Sequence, residues 1–204
     1  MRKSHLMQEL LPQLLITLKP DTHTSPQDFF KNAQPATVEI GFGGGEHLAA
    51  QAKLHPEMNF IGCEPFVNGV ASLLDHVERE GIGNIRIFND DARVLLDALP
   101  DASLEKCFIL FADPWPKKRH AERRFVGPEN LARLARALKP GAILRLASDH
   151  VSLVEWMRGC LDVHPDFVSV YAGTEPPPDW IPTRYQGKAA KAGRQAFFMD
   201  YKRL

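Results

Sequence analysis

The sequence predicts an α/β fold: a mostly parallel sheet with helices on both faces and an antiparallel C-terminal strand. Three observations predict it. Short apolar runs alternate with longer stretches of helical periodicity, the repetition that a parallel sheet and its crossover helices require. The first of these runs opens into a glycine cluster at Gly41, Gly43, Gly44 and Gly45. Late in the chain the alternation gives way to two apolar runs separated by a long stretch rich in Pro, Gly and Lys, which suits a closing antiparallel pair.

Residues 1–35 read as an N-terminal helical arm, apolar at Leu10, Leu11, Leu14, Leu15 and Ile16, and residues 36–204 as a single domain. Within the arm, a loop rich in Pro, Thr and Ser is expected at 20–26. Strands follow at 36–40, 59–63, 85–89, 106–112 and 142–147, alternating with helices at 46–54, 67–80, 92–99, 129–138 and 152–160. The closing strands fall at 167–172 and 195–201. The stretch 173–194 between them is too long for a plain connection and is expected to be a functional or a mobile loop.

Composition excludes several classes. The chain has 204 residues, with 25 basic and 25 acidic side chains, so nucleic-acid binding must rest on local patches rather than on net charge. Cys63, Cys107 and Cys160 are odd in number and scattered, which argues against structural zinc and secretory bridges and for a reducing cytoplasm. No apolar run approaches a bilayer span and no cleavage site follows the N-terminal apolar stretch, so no membrane association is expected. His47, His55, His76 and His164 lack the pairing of metal ligands and are expected on the surface or lining helices. Adjacent Ser148, Asp149 and His150 cannot form a hydrolase triad.

In an open parallel sheet, ligands lie beyond the carboxyl ends of the strands. Glu39, Glu64, Asp91 and Asp113 all fall at or just past such ends and are expected to converge on one crevice. The loop Glu39-Ile-Gly-Phe-Gly-Gly-Gly-Glu46 lets backbone amides approach a ligand, and Glu64 stands about 20 residues on, where a carboxylate can bond a ribose diol. A dinucleotide fingerprint would carry its third glycine at Glu46. That departure points to S-adenosyl-L-methionine rather than NAD. The alternative for the loop is a turn that needs only positive φ. Asp90 or Asp91 either contacts an adenine or caps the following helix, and both roles can coexist.

Asp113-Pro-Trp-Pro is a turn made rigid by two prolines, which fixes where Asp113 and Trp115 point. Lys117, Lys118, Arg119, His120, Arg123 and Arg124 follow it, either a solvated basic loop or a grip on phosphates. Asp149 adds a carboxylate after a later strand, with a helix cap as its alternative. The basic segment from Pro182 to Arg194 includes Tyr185 and Gln186 and has the composition to fold over a base and its phosphates.

Together, Glu39-Ile-Gly-Phe-Gly-Gly-Gly-Glu46, Asp113-Pro-Trp-Pro-Lys117, the run from Arg119 to Arg124, Leu138-Lys-Pro-Gly141, Ser148-Asp149 and Pro182-Thr-Arg-Tyr-Gln186 resemble the bacterial tRNA (guanine-N7-)-methyltransferase family. The resemblance runs in order from about residue 37 to the C-terminus. It implies a Rossmann-like class I methyltransferase fold and methyl transfer from S-adenosyl-L-methionine to the variable-loop guanosine of tRNA, position 46 in tRNA numbering. It places cofactor contacts on Glu39, Gly41, Gly43, Gly45, Glu64, Asp91 and Asp113. Substrate contacts fall on Lys117, Asp149, Thr183, Arg184, Tyr185 and Gln186, RNA contacts on Arg119, His120, Arg123 and Arg124, and the reacting centre on Asp113. No metal is implied, and monomer and homodimer both remain open. Two departures stand out: only Arg2 and Lys3 precede the apolar helix of the arm where the family's arm is basic, and Gln186 replaces a family glutamate. An exocyclic-amine nucleic-acid methyltransferase is one competing reading, because its turn is a permuted relative of Asp113-Pro-Trp-Pro. A non-catalytic tRNA-binding protein on the same fold is the other.

Overall fold

The structure, a computed structural model, describes residues 2–19 and 23–204, with the side chains of residues 2–4 and 118 outside that description. Residues 20–22 of the expected 20–26 loop, and the side chains of Arg2 and Lys3, therefore lie outside the described residues. Seven strands form one sheet: β1 (Ala36–Ile40), β2 (Asn59–Cys63), β3 (Ile85–Phe88), β4 (Leu104–Leu110), β5 (Leu138–Ser148), β6 (Phe167–Gly173) and β7 (Phe197–Arg203), in the order β3-β2-β1-β4-β5-β7-β6. The first five are parallel, and β7 runs antiparallel to both β5 and β6. The order reverses between β1 and β4, so a crevice opens beyond their C-terminal ends.

Helices cover both faces because the strand residues alternate. Val38 and Ile40 of β1, with Ile61 of β2 and Ile109 of β4, meet Leu95 of α6 (Ala92–Ala98), Leu131 and Leu134 of α7 (Pro128–Ala137) and Met157 of α8 (Val151–Leu161). The opposite face buries Phe60 and Ile85 against Leu48 of α4 (Glu46–Leu54) and Val70, Leu73 and Leu74 of α5 (Val67–Glu80). Those α5 positions follow the 3.6-residue period, and Gly81 ends the helix at φ 64°. The arm packs on this second face: Leu6 of α1 (Arg2–Glu9) and Leu14 of α2 (Leu11–Leu14) join its core. Ile16 then donates its amide to the Ile87 carbonyl at 2.8 Å, which covers the β3 edge. No helix among the described residues is long and apolar enough to cross a membrane.

The structure departs from the expected elements at several places. β4 stops at Leu110, because Phe111 turns out of the sheet at φ 53°. β5 starts at Leu138 rather than 142: Leu138 pairs with Leu104, and after a register shift Ile143 pairs with Lys106, with Gly141 at φ 87° absorbing the irregularity. The basic run forms a 3-10 helix, Lys118–Arg123, and the stretch 173–194 contains α9 (Arg184–Lys191), so neither is a plain loop. In the arm, α3 (Pro26–Phe30) forms where Ser25 and Asp28 make a reciprocal capping box. Of the two places expected for His47, the surface or a helix lining, the second holds: it lies on α4, buried, where it faces Glu39.

Candidate active site

A cleft of about 470 Å³ lies beyond the ends of β1, β2 and β4. That size suits a small-molecule ligand. Gly41, Gly43, Glu64, Asp91, Asp113, Trp115, Arg123 and Tyr185 all line it. Its walls carry four carboxylates, those of Glu64, Asp90, Asp91 and Asp113, and a main-chain glycine loop, with one guanidinium at the rim.

The loop is shaped by close approaches. A Cβ on Gly45, at φ 79°, would stand 2.7 Å from the Leu73 Cβ, so glycine here lets α4 start against α5. A Cβ on Gly43, at φ 57°, would meet the Tyr185 ring at 3.0 Å. Glu64 ties the loop to β2: one carboxylate oxygen accepts from the Gly43 amide at 2.9 Å and the other from the Phe66 amide at 3.0 Å. Each oxygen retains a second lone pair for a ligand hydroxyl. These residues fit an adenosine-bearing cofactor, because space is open above Gly41, where an added Cβ would touch nothing within 4 Å.

Asp91 caps α6, accepting from the Arg93 amide at 3.0 Å. Its side-chain bonds to Arg93 hold the carboxyl below its ordinary range. Asp91 also lines the cleft, as does Asp90, which accepts from the Asp91 amide at 2.7 Å. The cap and the cleft position therefore coexist. Cys63 faces the same space, but burial pushes its thiol well up and keeps it protonated.

Asp113 sits on a turn bracketed by two bulky residues with left-handed backbones, Phe111 at φ 53° and Trp115 at φ 42°. Such positions cost on the order of 1–3 kcal/mol each and cluster at functional sites. Asp113 is exposed and takes no hydrogen bond or ion pair from the described residues. Arg123 lays its guanidinium 4.8 Å from the Trp115 ring centre, and His120 packs edge-on to the same ring. Lys117 and Arg119 are exposed at this lip and make no ion pair among the described residues. Arg124 differs: its donors are spent on the carbonyls of Pro114, Trp115 and Ser152.

The opposite lip is the segment 174–194, docked onto the sheet. Arg145 of β5 donates to both oxygens of Asp200, its register partner on β7, at 2.8 and 2.7 Å, and to Asp179 at 2.8 Å. Partial burial alone would raise Asp179, but Arg145 and Lys106 outweigh it and hold the carboxyl at about 2. Trp180 packs edge-on to Phe198 and donates its indole N–H to the Gln186 side-chain oxygen at 2.7 Å. Thr183 caps α9 by accepting from the Gln186 amide at 3.0 Å. The helix thus brings Tyr185 over the glycine loop, while Arg184, Lys188 and Lys191 share an exposed face at i, i+4 and i+7.

Several expected site residues do not line the cleft. Glu39 points to the α4 face, where its carboxylate lies 2.7 Å from His47 Nδ1, and Gln51 follows at 3.3 Å from His47 Nε2. The His47 ring also packs against Phe108 and lies near Trp180. Asp149 is held by Arg194 at 2.6 Å, and Gln186 is turned to Trp180. Gly45 lies behind the loop, and Thr183 and Arg184 lie outside the lining as well. Sequence reading missed His47, Arg145, Asp179, Trp180 and Asp200. The i, i+4 spacing of His47 and Gln51 was a signal that both polar side chains share one helix face. Among the described residues, no group of three or more His, Cys, Asp or Glu is placed to hold a metal ion.

Solved structures share this architecture. An antibiotic-related methyltransferase superposes with TM-score 0.65 at 15% identity, covering 96% of this chain and 99% of its own. The 16S rRNA methyltransferase KamB gives 0.63 at 13% identity, covering 87% and 92%. The fold is that of a class I methyltransferase. A family model described as "Putative methyltransferase" matches residues 33–199. The tRNA (guanine-N(7)-)-methyltransferase of Paramagnetospirillum magneticum is 47% identical over 204 residues, covering 97% of this chain and 85% of that protein. That of Granulibacter bethesdensis is 41% identical, covering 99% and 92%. This chain belongs to the tRNA (guanine-N(7)-)-methyltransferase family.

Proposed function

We propose that this protein methylates N7 of a guanosine in tRNA, at the variable-loop position that the family resemblance implies, and that it works in the cytoplasm where that substrate is found. Family membership supports the reaction. The observation that carries the site is the meeting of Glu64 and Asp113 in one cleft, flanked by lips whose exposed cations, apart from Arg194 on Asp149, have no acidic partners among the described residues.

When bound, S-adenosyl-L-methionine supplies an electrophilic methyl group on a positively charged sulfur. Glu64 and the amides of the glycine loop would hold its ribose and amino-acid portions, with Asp91 at the adenine end. Guanine N7 carries an in-plane lone pair and loses no proton, so no general base is needed. The work left to the chain is placement and electrostatics. The Asp113 carboxylate, uncompensated by any described cation, stands where it can oppose the positive charge that develops on the purine. The cations of both lips would take tRNA phosphates, which position the RNA without reading its sequence. Asp149 can meet the N1 and N2 hydrogens of guanine once Arg194 gives way.

The test is to incubate an unmodified tRNA transcript with isotopically labelled S-adenosyl-L-methionine and separate the digested nucleosides by chromatography and mass spectrometry. Labelled N7-methylguanosine is expected. Labelled N6-methyladenosine would instead identify an exocyclic-amine enzyme, and tRNA binding without any labelled nucleoside would identify a binding protein.

A further inference from the structure

Two adjacent arginines behind the Asp113 turn are used in opposite ways. Arg123 lines the cleft, its guanidinium resting on the Trp115 ring and making no hydrogen bond to a described residue. Arg124 faces inward: Nε donates to the Pro114 carbonyl at 3.0 Å, Nη2 to the Trp115 carbonyl at 3.2 Å, and Nη1 to the Ser152 carbonyl at 3.4 Å. The same guanidinium lies 5.3 Å from the Trp156 ring centre on α8.

We propose that Arg124 is a positioning residue that fixes the turn presenting Asp113, and not a phosphate contact. The inference rests on the reading of Asp113 as the carboxylate at the reacting centre. The Asp113-Pro-Trp-Pro turn has left the sheet, so its carbonyls have no ladder partners, and its two prolines bring no N–H groups. The Phe111 amide donates to the Ala147 carbonyl, and Arg123 and His120 pack on the Trp115 ring, but among the described residues no donor other than Arg124 reaches the carbonyls of a turn with left-handed residues at Phe111 and Trp115. The planar fork of Arg124 reaches two successive carbonyls of the turn and one on α8, so the turn is pinned to the helix packed under β5. An ammonium on a flexible stem cannot span the three acceptors. A phosphate would have to displace these bonds, whereas Arg123, resting on the Trp115 ring, and Arg119, with a single 3.4 Å bond to His120, keep donors available beside it.

The test uses the full-length protein and the variants Arg124→Ala, Arg124→Lys, Asp113→Ala, Arg123→Ala and the double variant Asp113→Ala/Arg124→Ala. Four quantities are measured: single-turnover methylation, tRNA affinity across a salt series, binding of S-adenosylhomocysteine by calorimetry, and the melting temperature. Arg124→Ala and Arg124→Lys are both expected to slow methyl transfer at least about tenfold, because misplaced reacting groups lose rate rather than affinity. Their tRNA affinity and salt slope should stay within about twofold of the parent. The double variant should be no slower than Asp113→Ala alone, since both changes act through one group. A fall in tRNA affinity and salt slope in Arg124→Ala, restored by Arg124→Lys, would identify a phosphate contact and overturn the proposal. So would a parental rate in Arg124→Lys, or rate losses that multiply in the double variant. If Arg124→Ala does not fold, Arg124→Lys, which keeps the charge and most of the bulk, decides. Parental turnover in Asp113→Ala would refute the reading of Asp113 itself, an outcome separable from every Arg124 result.

Discussion

The two lips of the cleft are fastened by different means. The Asp113 lip is gripped at its main chain, where carbonyls of a left-handed turn accept from Arg124. The α9 lip is gripped through side chains: Asp179 on Arg145 and Lys106, Trp180 against Phe198, and Arg194 on Asp149. A main-chain clamp fixes where one carboxylate stands, whereas side-chain fastenings can release together and leave the sheet intact. On the proposed function, the first lip serves the chemistry and the second serves access.

The largest effect belongs to the clamped lip. Asp113→Ala should reduce single-turnover methylation on the order of 10²- to 10³-fold, the usual loss when one preorganised charge is removed from a reacting centre. Its tRNA affinity should stay within about twofold, because phosphates supply most of the binding. Parallel losses of rate and affinity would place Asp113 in the RNA grip and erase the division.

The cations come next, because they are the property both lips share. Arg119→Ala/Arg123→Ala on one lip and Arg184→Ala/Lys188→Ala on the other should each lower the salt slope of tRNA binding by about 2, one unit for each lost phosphate contact. Cofactor affinity should be unchanged in both. A slope that falls for only one pair would confine the RNA to one lip and leave the other pair as solvated surface.

Most of the sheet was legible because its strands are apolar runs ended by glycine or an acidic residue, and the strand starts at 36, 59, 85 and 167 were read at their observed positions. The lips were less legible for physical reasons. The apolar anchor of α9 is Ala189, and its remaining residues are cations, glycine, an exposed alanine and polar or aromatic side chains, so hydrophobic periodicity could not reveal the helix. Left-handed backbone is ordinarily signalled by glycine, and here Phe111 and Trp115 adopt it. Pro140 and Gly141 read as a loop between helix and strand, which hid the early start of β5. In the site, strand ends located Glu64, Asp91 and Asp113 in the cleft. The alternation that aims Glu39 at α4 was also written in β1, but a reading that counted only strand ends passed over it.

The side-chain fastenings also give the α9 lip a pH dependence. Asp179 is held at about 2, below the ordinary carboxylate value, so its ion pairs stabilise the fold fully above about pH 4 and are lost as pH falls through about 2. The side chain is largely solvent-exposed, which limits the contribution to under about 1 kcal/mol. Asp179→Asn should therefore melt slightly below the parent at pH 6. By pH 3 the gap should have shrunk to about half. A gap that does not change between these pH values would show that Asp179 contributes by packing rather than by charge.

The smallest expected change in rate concerns Gln186, which stands where the resembled family has glutamate. Its side-chain oxygen accepts from the Trp180 indole at 2.7 Å, and it does not line the cleft. Its place in the structure is thus the fastening of α9, not the reacting centre. A carboxylate would accept the same bond more strongly, so Gln186→Glu should leave the single-turnover rate unchanged or raise it by less than about threefold. Gln186→Ala leaves a half-buried indole N–H without its partner, a loss of about 1 kcal/mol. That loss should loosen the lip, raising hydrogen exchange in α9 and lowering the rate a few-fold, with Asp113 still carrying the electrostatics. A rate that falls without any change in α9 exchange would move Gln186 from the lip's fastening to the substrate. Turnover in the Glu variant alone would go further, making the natural chain a tRNA-binding protein on a methyltransferase fold.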